Sequence, residues 1–134
     1  MQRLAFQLKA GFPIIADNNL VVSKMFDMLP ADAYMPDGRT AADSASVRSV
    51  FIISPDKKLQ LSMTYPMSVG RNFAEILSAL TALQKTFGQP IATPANWADG
   101  QDVIIAMTLD DDVAKAKFGD FDAKLPYIRT TSNA

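Results

Sequence analysis

The stretch Val50-Phe51-Ile52-Ile53 is an unbroken apolar run, and seven residues of strict alternation follow it after a five-residue connection. Leu59, Leu61, Met63 and Tyr65 alternate with Gln60, Ser62 and Thr64, the period of a half-buried strand. The connection Ser54-Pro55-Asp56-Lys57-Lys58 is too short for a crossover, so the two strands must be antiparallel. Pro55 fixes its own φ and suits a turn. The continuous run predicts a first strand that is central in its sheet. Asn72 and Glu75 then stand at capping-box spacing, with Asn in place of Ser or Thr. Phe73, Ile76, Leu77, Leu80, Leu83 and Phe87 recur at helical spacing until Gly88 and Pro90 end the pattern.

Around this strand–turn–strand–helix unit the chain reads more loosely. Gly11–Asp17 predicts a short strand buried on both faces through Ile14 and Ile15. Asp17 and Asn18 are placed to cap a helix over about Asn19–Leu29, with Val21, Val22, Met25, Phe26, Met28 and Leu29 as its apolar face and Pro30 as its stop. Met35–Val47 is polar and rich in turn formers, which predicts an exposed loop. Beyond a boundary near Gly88–Thr93 the chain becomes irregular and Pro-rich. It then offers a strand at Val103–Leu109, a helix at Asp110–Phe118 with acidic residues in its first turn, and a last short strand within Leu125–Thr131. The order β-α-β-β-α plus a small appendix defines an α/β chain. A hairpin followed by a long helix is how a thioredoxin-like sheet ends, but periodicity alone leaves several α/β alternatives open.

Composition removes whole classes of chemistry. The 134 residues include no cysteine and no histidine, so disulfides, thiolate metal sites and imidazole bases are excluded within the chain. A net charge of −1 argues against a nucleic-acid or anionic-membrane partner. No apolar run approaches the ~20 residues of a membrane span. The mixed-charge start, Met1–Pro13, is unlike a secretory signal, and a cytoplasmic location is the default expectation.

With these segments in view, "RSVFIISPDKKLQLSMTYPMSVGRNFAEIL" at Arg48–Leu77 resembles the 1-Cys peroxiredoxins, the long-tailed branch of the alkyl hydroperoxide reductase/thiol-specific antioxidant family. "FPIIAD" at Phe12–Asp17 resembles that family's strand-to-helix junction. "ATPANWADGQDVII" at Ala92–Ile105 is similar to the start of its C-terminal domain, and "LPYIRTT" at Leu125–Thr131 to its closing segment. The matches run in the family's order from about Phe12 to Thr131. The resemblance implies a partial thioredoxin-like sheet with flanking helices over 1–90, followed by the small C-terminal peroxiredoxin domain over 91–134. It implies thiol-dependent peroxide reduction as the family's activity, with no cofactor and no metal.

The departures are as informative. The family's peroxidatic motif, a Pro and a Thr leading to the catalytic Cys, has no counterpart, and Met1–Gly11 does not resemble what should precede "FPIIAD". The chain resembles the C-terminal portion of a 1-Cys peroxiredoxin with a new start, inactive by itself. Pro36, Thr40 and Asp43 share the spacing of the peroxidatic motif, but an aspartate cannot attack a peroxide as a thiolate does, and chance explains them.

Among residues that could carry chemistry, Arg48 comes first. It falls where the family places its active-site arginine, where a fixed cation favours a thiolate and stabilises charge on a leaving oxygen. The plain alternative is a strand-end arginine in solvent. Arg71 comes second, as a support to the same pocket. A plain helix-start role suits it poorly, because a cation is disfavoured at a helix N-terminus without an acidic partner. Asp56 reads as a turn residue; in some animal family members the matching acid is linked to a lipase-type triad, which this histidine-free chain does not carry. Trp97 and Tyr127 read as core or interface aromatics, Met25, Met28, Met63 and Met67 as core fillers, and Asp110–Asp112 as a helix-start cluster. A homodimer is the partner the resemblance implies, with a separate chain supplying the N-terminal peroxiredoxin half as a further possibility. A non-catalytic dimerisation or interaction module is the competing reading.

Overall fold

The structure, a computed structural model, describes residues 11–29 and 45–134. The described residues divide into two compact units, one holding 11–29, 45–50 and 63–70, the other 51–62 and 71–134. The loop expected from Met35, the Pro36/Thr40/Asp43 spacing and the residues before Gly11 lie outside the described residues, apart from the loop's last three positions.

In the first unit, α1 spans Val21–Met25, much shorter than the helix expected over Asn19–Leu29. Asp17 caps it as expected, its carboxylate accepting from Val22 N at 3.1 Å, Ser23 N at 2.7 Å and the Ser23 hydroxyl at 2.7 Å. The helix stops before Pro30 because Asp27 turns into the left-handed region, with φ 51°. Asp27 N then bonds Lys24 O at 3.2 Å and Met28 N bonds Ser23 O at 2.8 Å, the pair that closes a Schellman motif. The expected strand at Gly11–Asp17 does not form. Ile14 and Ile15 are 74% and 73% exposed, because among the described residues no strand pairs with them. Met25 and Met67 are likewise exposed and not core fillers; α1 buries no residue, and Met67 sits in the turn closed by Val69 N on Pro66 O at 2.9 Å.

The hairpin joins β1, Arg48–Ile53, to β2, Leu59–Tyr65. Its two ends belong to different units. The expectation of a central, fully covered β1 is corrected. Among the described residues the sheet has two strands, and β1 is at best half-buried. The apolar run is strand-forming, but two covered faces require neighbours that this hairpin does not find among the described residues. Its turn is built as the sequence predicts, with Lys57 N on Ser54 O at 2.9 Å and Ser54 N on Lys58 O at 2.9 Å. Pro55 and Asp56 occupy the bend and Lys57 takes the left-handed position, φ 64°, that closes a three-residue hairpin loop.

In the second unit, α2 spans Phe73–Thr86. Asn72 Oδ1 accepts from Ala74 N at 3.1 Å and Glu75 N at 3.3 Å, so the predicted cap is real. Gly88, at φ 68°, supplies the left-handed exit that a Cβ would strain. The rest is more regular than its sequence suggests. Strands β3 (Ile91–Ala92), β4 (Val103–Ile105), β5 (Asp122–Leu125) and β6 (Ile128–Thr131) form a four-stranded sheet in the order β3-β4-β6-β5. All three pairings are antiparallel: Ile91 faces Ile105, Val103 faces Thr131, and Ala123 faces Arg129. Helix α3, Asp111–Phe118, follows β4 and is capped by Asp110 Oδ1 on Val113 N at 2.8 Å. Ile91, Trp97, Val103, Ile105, Ala114 and Phe118 make the core, with Ala82, Leu109 and Phe121 packed against it. Trp97 is the core aromatic the sequence suggests, its indole N–H donating to Gln101 O at 3.0 Å. Tyr127 is not; it sits 55% exposed between β5 and β6.

Candidate functional site

Arg48 opens β1 in the first unit, where Val47 N anchors to Met28 O at 2.9 Å. Across the hairpin the Ser49 and Thr64 hydroxyls are hydrogen-bonded at 3.1 Å. The Arg48 Nε–H donates to the Met67 carbonyl at 3.1 Å. One edge of the guanidinium is thereby tied to the turn after β2, and the side chain is exposed. A guanidinium held through Nε keeps both terminal nitrogens as donors for an anion or a polarised oxygen. Among the described residues no carboxylate pairs with it. The arrangement can bind and stabilise negative charge; it offers no nucleophile of its own.

Arg71 lies in the other unit, immediately before the Asn72 cap, and is exposed. The acidic partner that its helix-start position calls for is not found among the described residues. Arg48 and Arg71 are thus placed by separate pieces of structure, the one by a strand start and a carbonyl, the other by a helix cap.

Ser54 and Asp56 form a polar knot at the hairpin turn. The half-exposed Asp56 accepts a short hydrogen bond from the buried Ser54 hydroxyl and pairs with Lys58 Nζ at 2.9 Å. Ser54 Oγ also accepts from Lys58 N at 3.3 Å and Gln60 Nε2 at 3.0 Å. The Ser54 hydroxyl first, and Lys58 second, hold the Asp56 carboxyl below its ordinary value. Asp56 acts here as the turn residue the sequence suggests, and Ser54, not singled out beforehand, is the hub.

The sequence reading also passed over Arg129. It is buried in β6, its Nη1 donating to Asp111 Oδ1 at 2.7 Å and its Nη2 to the carbonyls of Ala106 at 2.8 Å and Leu109 at 2.7 Å. The guanidinium also lies over the Phe121 ring, 5.6 Å from its centroid. A charged residue among β-branched neighbours in "YIRTT" was the available signal. Asp111 is absorbed by this contact, and among the described residues no group of three or more acidic side chains converges as a metal site would.

The fold is that of a peroxiredoxin portion. A solved structure of a yeast mitochondrial 1-Cys peroxiredoxin, described for its thiol-resolving mechanism via glutathione/thioredoxin systems, is 44% identical with a TM-score of 0.74, over 90% of this chain and 56% of that one. A cysteine-to-serine variant of the Peroxiredoxin 6 of Arenicola marina is 37% identical with a TM-score of 0.79, over 92% of this chain and 57% of that one. Residues 82–120 match the family described as the C-terminal domain of 1-Cys peroxiredoxin. A mitochondrial peroxiredoxin of Saccharomyces cerevisiae is 42% identical over 135 residues, which is 99% of this chain and 50% of the relative. The chain belongs to the 1-Cys peroxiredoxin family, as a C-terminal portion without a cysteine. It spans about half the length of the curated relatives it matches.

Proposed function

We propose that this chain carries the arginine frame of a peroxiredoxin peroxide site and that the reacting thiolate comes from residues outside it. The observation that carries the reading is Arg48, set at the start of β1 and held by Nε to the Met67 carbonyl, with no carboxylate paired to it among the described residues. In thiol-dependent peroxide reduction a thiolate attacks one peroxide oxygen. The O–O bond breaks, a sulfenic acid forms, and the other oxygen leaves as an alkoxide or hydroxide that takes a proton. A guanidinium beside that reaction lowers the thiol pKa and stabilises charge on the leaving oxygen. Arg71 is the supporting cation in this reading.

The chain has no cysteine, so by itself it should be inert. Purified chain, supplied with hydrogen peroxide and a thiol reductant, is expected to consume peroxide no faster than the reductant alone. Consumption above that blank overturns the reading.

A second reading, a non-catalytic dimerisation or interaction module, draws support from the large apolar side chains left exposed, Phe73 at 69% and Leu77 at 61% among them. Under it, replacing Arg48 would change nothing measurable in any assembly the chain forms.

A further inference from the structure

The first unit ties Arg48 to a turn whose geometry has two alternative forms. Strand β2 ends at Tyr65, and Val69 N then donates to Pro66 O at 2.9 Å, closing a β-turn over Pro66-Met67-Ser68-Val69. The carbonyl that receives the Arg48 Nε–H at 3.1 Å is that of Met67, the second residue of this turn. It belongs to the middle peptide unit, Met67–Ser68, the one that type I and type II turns orient oppositely. Between the two types, ψ of the second residue goes from about −30° to about +120° and φ of the third from about −90° to about +80°. Neither Met67 nor Ser68 takes a positive φ, so the turn is type I.

The direction of the Met67 carbonyl therefore depends on the residue at the third place. Serine, like any L residue with a Cβ, is disfavoured at the positive φ that type II requires there. The type I form points the Met67 carbonyl at Arg48; a flip of the Met67–Ser68 peptide would point it away. The Ser68 side chain is itself exposed, so its identity is not fixed by core packing. We infer that Ser68 is a positioning residue for the proposed peroxide site, acting through the Met67 carbonyl to hold the Arg48 guanidinium in one place. The inference rests on the reading of Arg48 as the cation of that site. It adds that the turn type, and not the arginine alone, sets where the positive charge stands.

The test is made first on the full chain by NMR, reading the exchange rate of the Arg48 Nε–H and the scalar coupling from Arg48 Nε to the Met67 carbonyl carbon. Ser68→Gly admits type II, and Met67→Pro/Ser68→Gly favours it. Exchange should quicken roughly fivefold in the first, as for the loss of one exposed hydrogen bond, and the coupling should vanish in the second. Ser68→Ala keeps a Cβ and should match the unchanged protein in both readouts. All three changes lie at exposed positions, so circular dichroism should not move. The second readout joins the chain in one polypeptide to the cysteine-bearing half of the yeast relative. There Ser68→Gly should slow sulfenic acid formation with hydrogen peroxide about tenfold and shift its pH profile upward, and Ser68→Ala should do neither. Unchanged exchange and coupling in both glycine variants would overturn the inference, as would a Ser68→Ala variant that behaves like Ser68→Gly. A lost hydrogen bond with an unchanged peroxide rate, where Arg48→Gln does lower that rate, also overturns it and leaves the proposed function standing. An Arg48→Gln variant that reacts at the full rate overturns the proposed function instead.

Discussion

Arg129 reaches from β6 to Asp111 in the first turn of α3, Nη1 to Oδ1 at 2.7 Å, with Arg129 buried and Asp111 largely exposed. The asymmetry decides what the contact is for. The exposed carboxylate is screened by water, whereas Nη2 satisfies two carbonyls, Ala106 and Leu109, in the connection between β4 and α3.

Arg129→Leu should therefore cost roughly 3 kcal/mol, the upper end of the range for orphaned buried partners. Asp111→Asn should cost less than about 1 kcal/mol. Urea denaturation of both variants checks the order. Equal losses would mean the ion pair, and not the carbonyl bonds, holds the connection.

Phe118 fills the core beneath the same sheet with Trp97, Val103 and Ile105. Phe118→Ala should cost roughly 3–5 kcal/mol. It should also shift Trp97 emission as the indole gains water, read by fluorescence during the same titration.

Lys57 holds φ 64° in the hairpin turn, a conformation that costs an L side chain about 1 kcal/mol or more. Lys57→Gly should raise stability by about 0.5–1 kcal/mol after its larger unfolded-state entropy is counted. A thermal melt is the check, and a lowered midpoint would contradict the turn assignment.

Asp56 and Asp17 are both held below the ordinary carboxylate value of 3.8, the first chiefly by the Ser54 hydroxyl and the second chiefly by the Ser23 hydroxyl. A lowered folded-state pKa gives stability that is complete above the unfolded value. It is lost as pH falls below 3.8 and through the folded value. Ser54→Ala should move the Asp56 titration, followed by carboxyl NMR shifts, back up toward 3.8 and leave Asp17 unchanged.

Much of this was readable in the sequence because it is local. Asn72 and Pro55 act through hydrogen bonds and dihedrals within a few residues, and the hairpin turn, the α2 cap and α2 follow from them. Non-local features were harder to read. The apolar run at β1 describes a strand suited to two covered faces, but the number of its neighbours depends on residues far away in sequence. Ile14 and Ile15 misled for the same reason. Asp27 ended α1 early through a left-handed conformation that an aspartate tolerates but does not announce. Strands β3 and β5 are too short to show alternation, and Arg129 depends on carbonyls about twenty residues upstream. The candidate site was legible only through resemblance. Nothing in the pattern around Arg48 distinguishes it from a strand-end arginine in solvent, and no spacing announces the hydrogen bond from its Nε to the Met67 carbonyl.

The central claim is that Arg48 supplies the cation for a thiolate this chain does not encode. It is tested most directly by joining the chain in one polypeptide to the cysteine-bearing half of the yeast relative and measuring the rate of sulfenic acid formation with hydrogen peroxide, with Arg48 and with Arg48→Gln. The account predicts a fall of about 100-fold in the variant, with a raised thiol pKa and an unchanged melting temperature. Equal rates in the two proteins would contradict it.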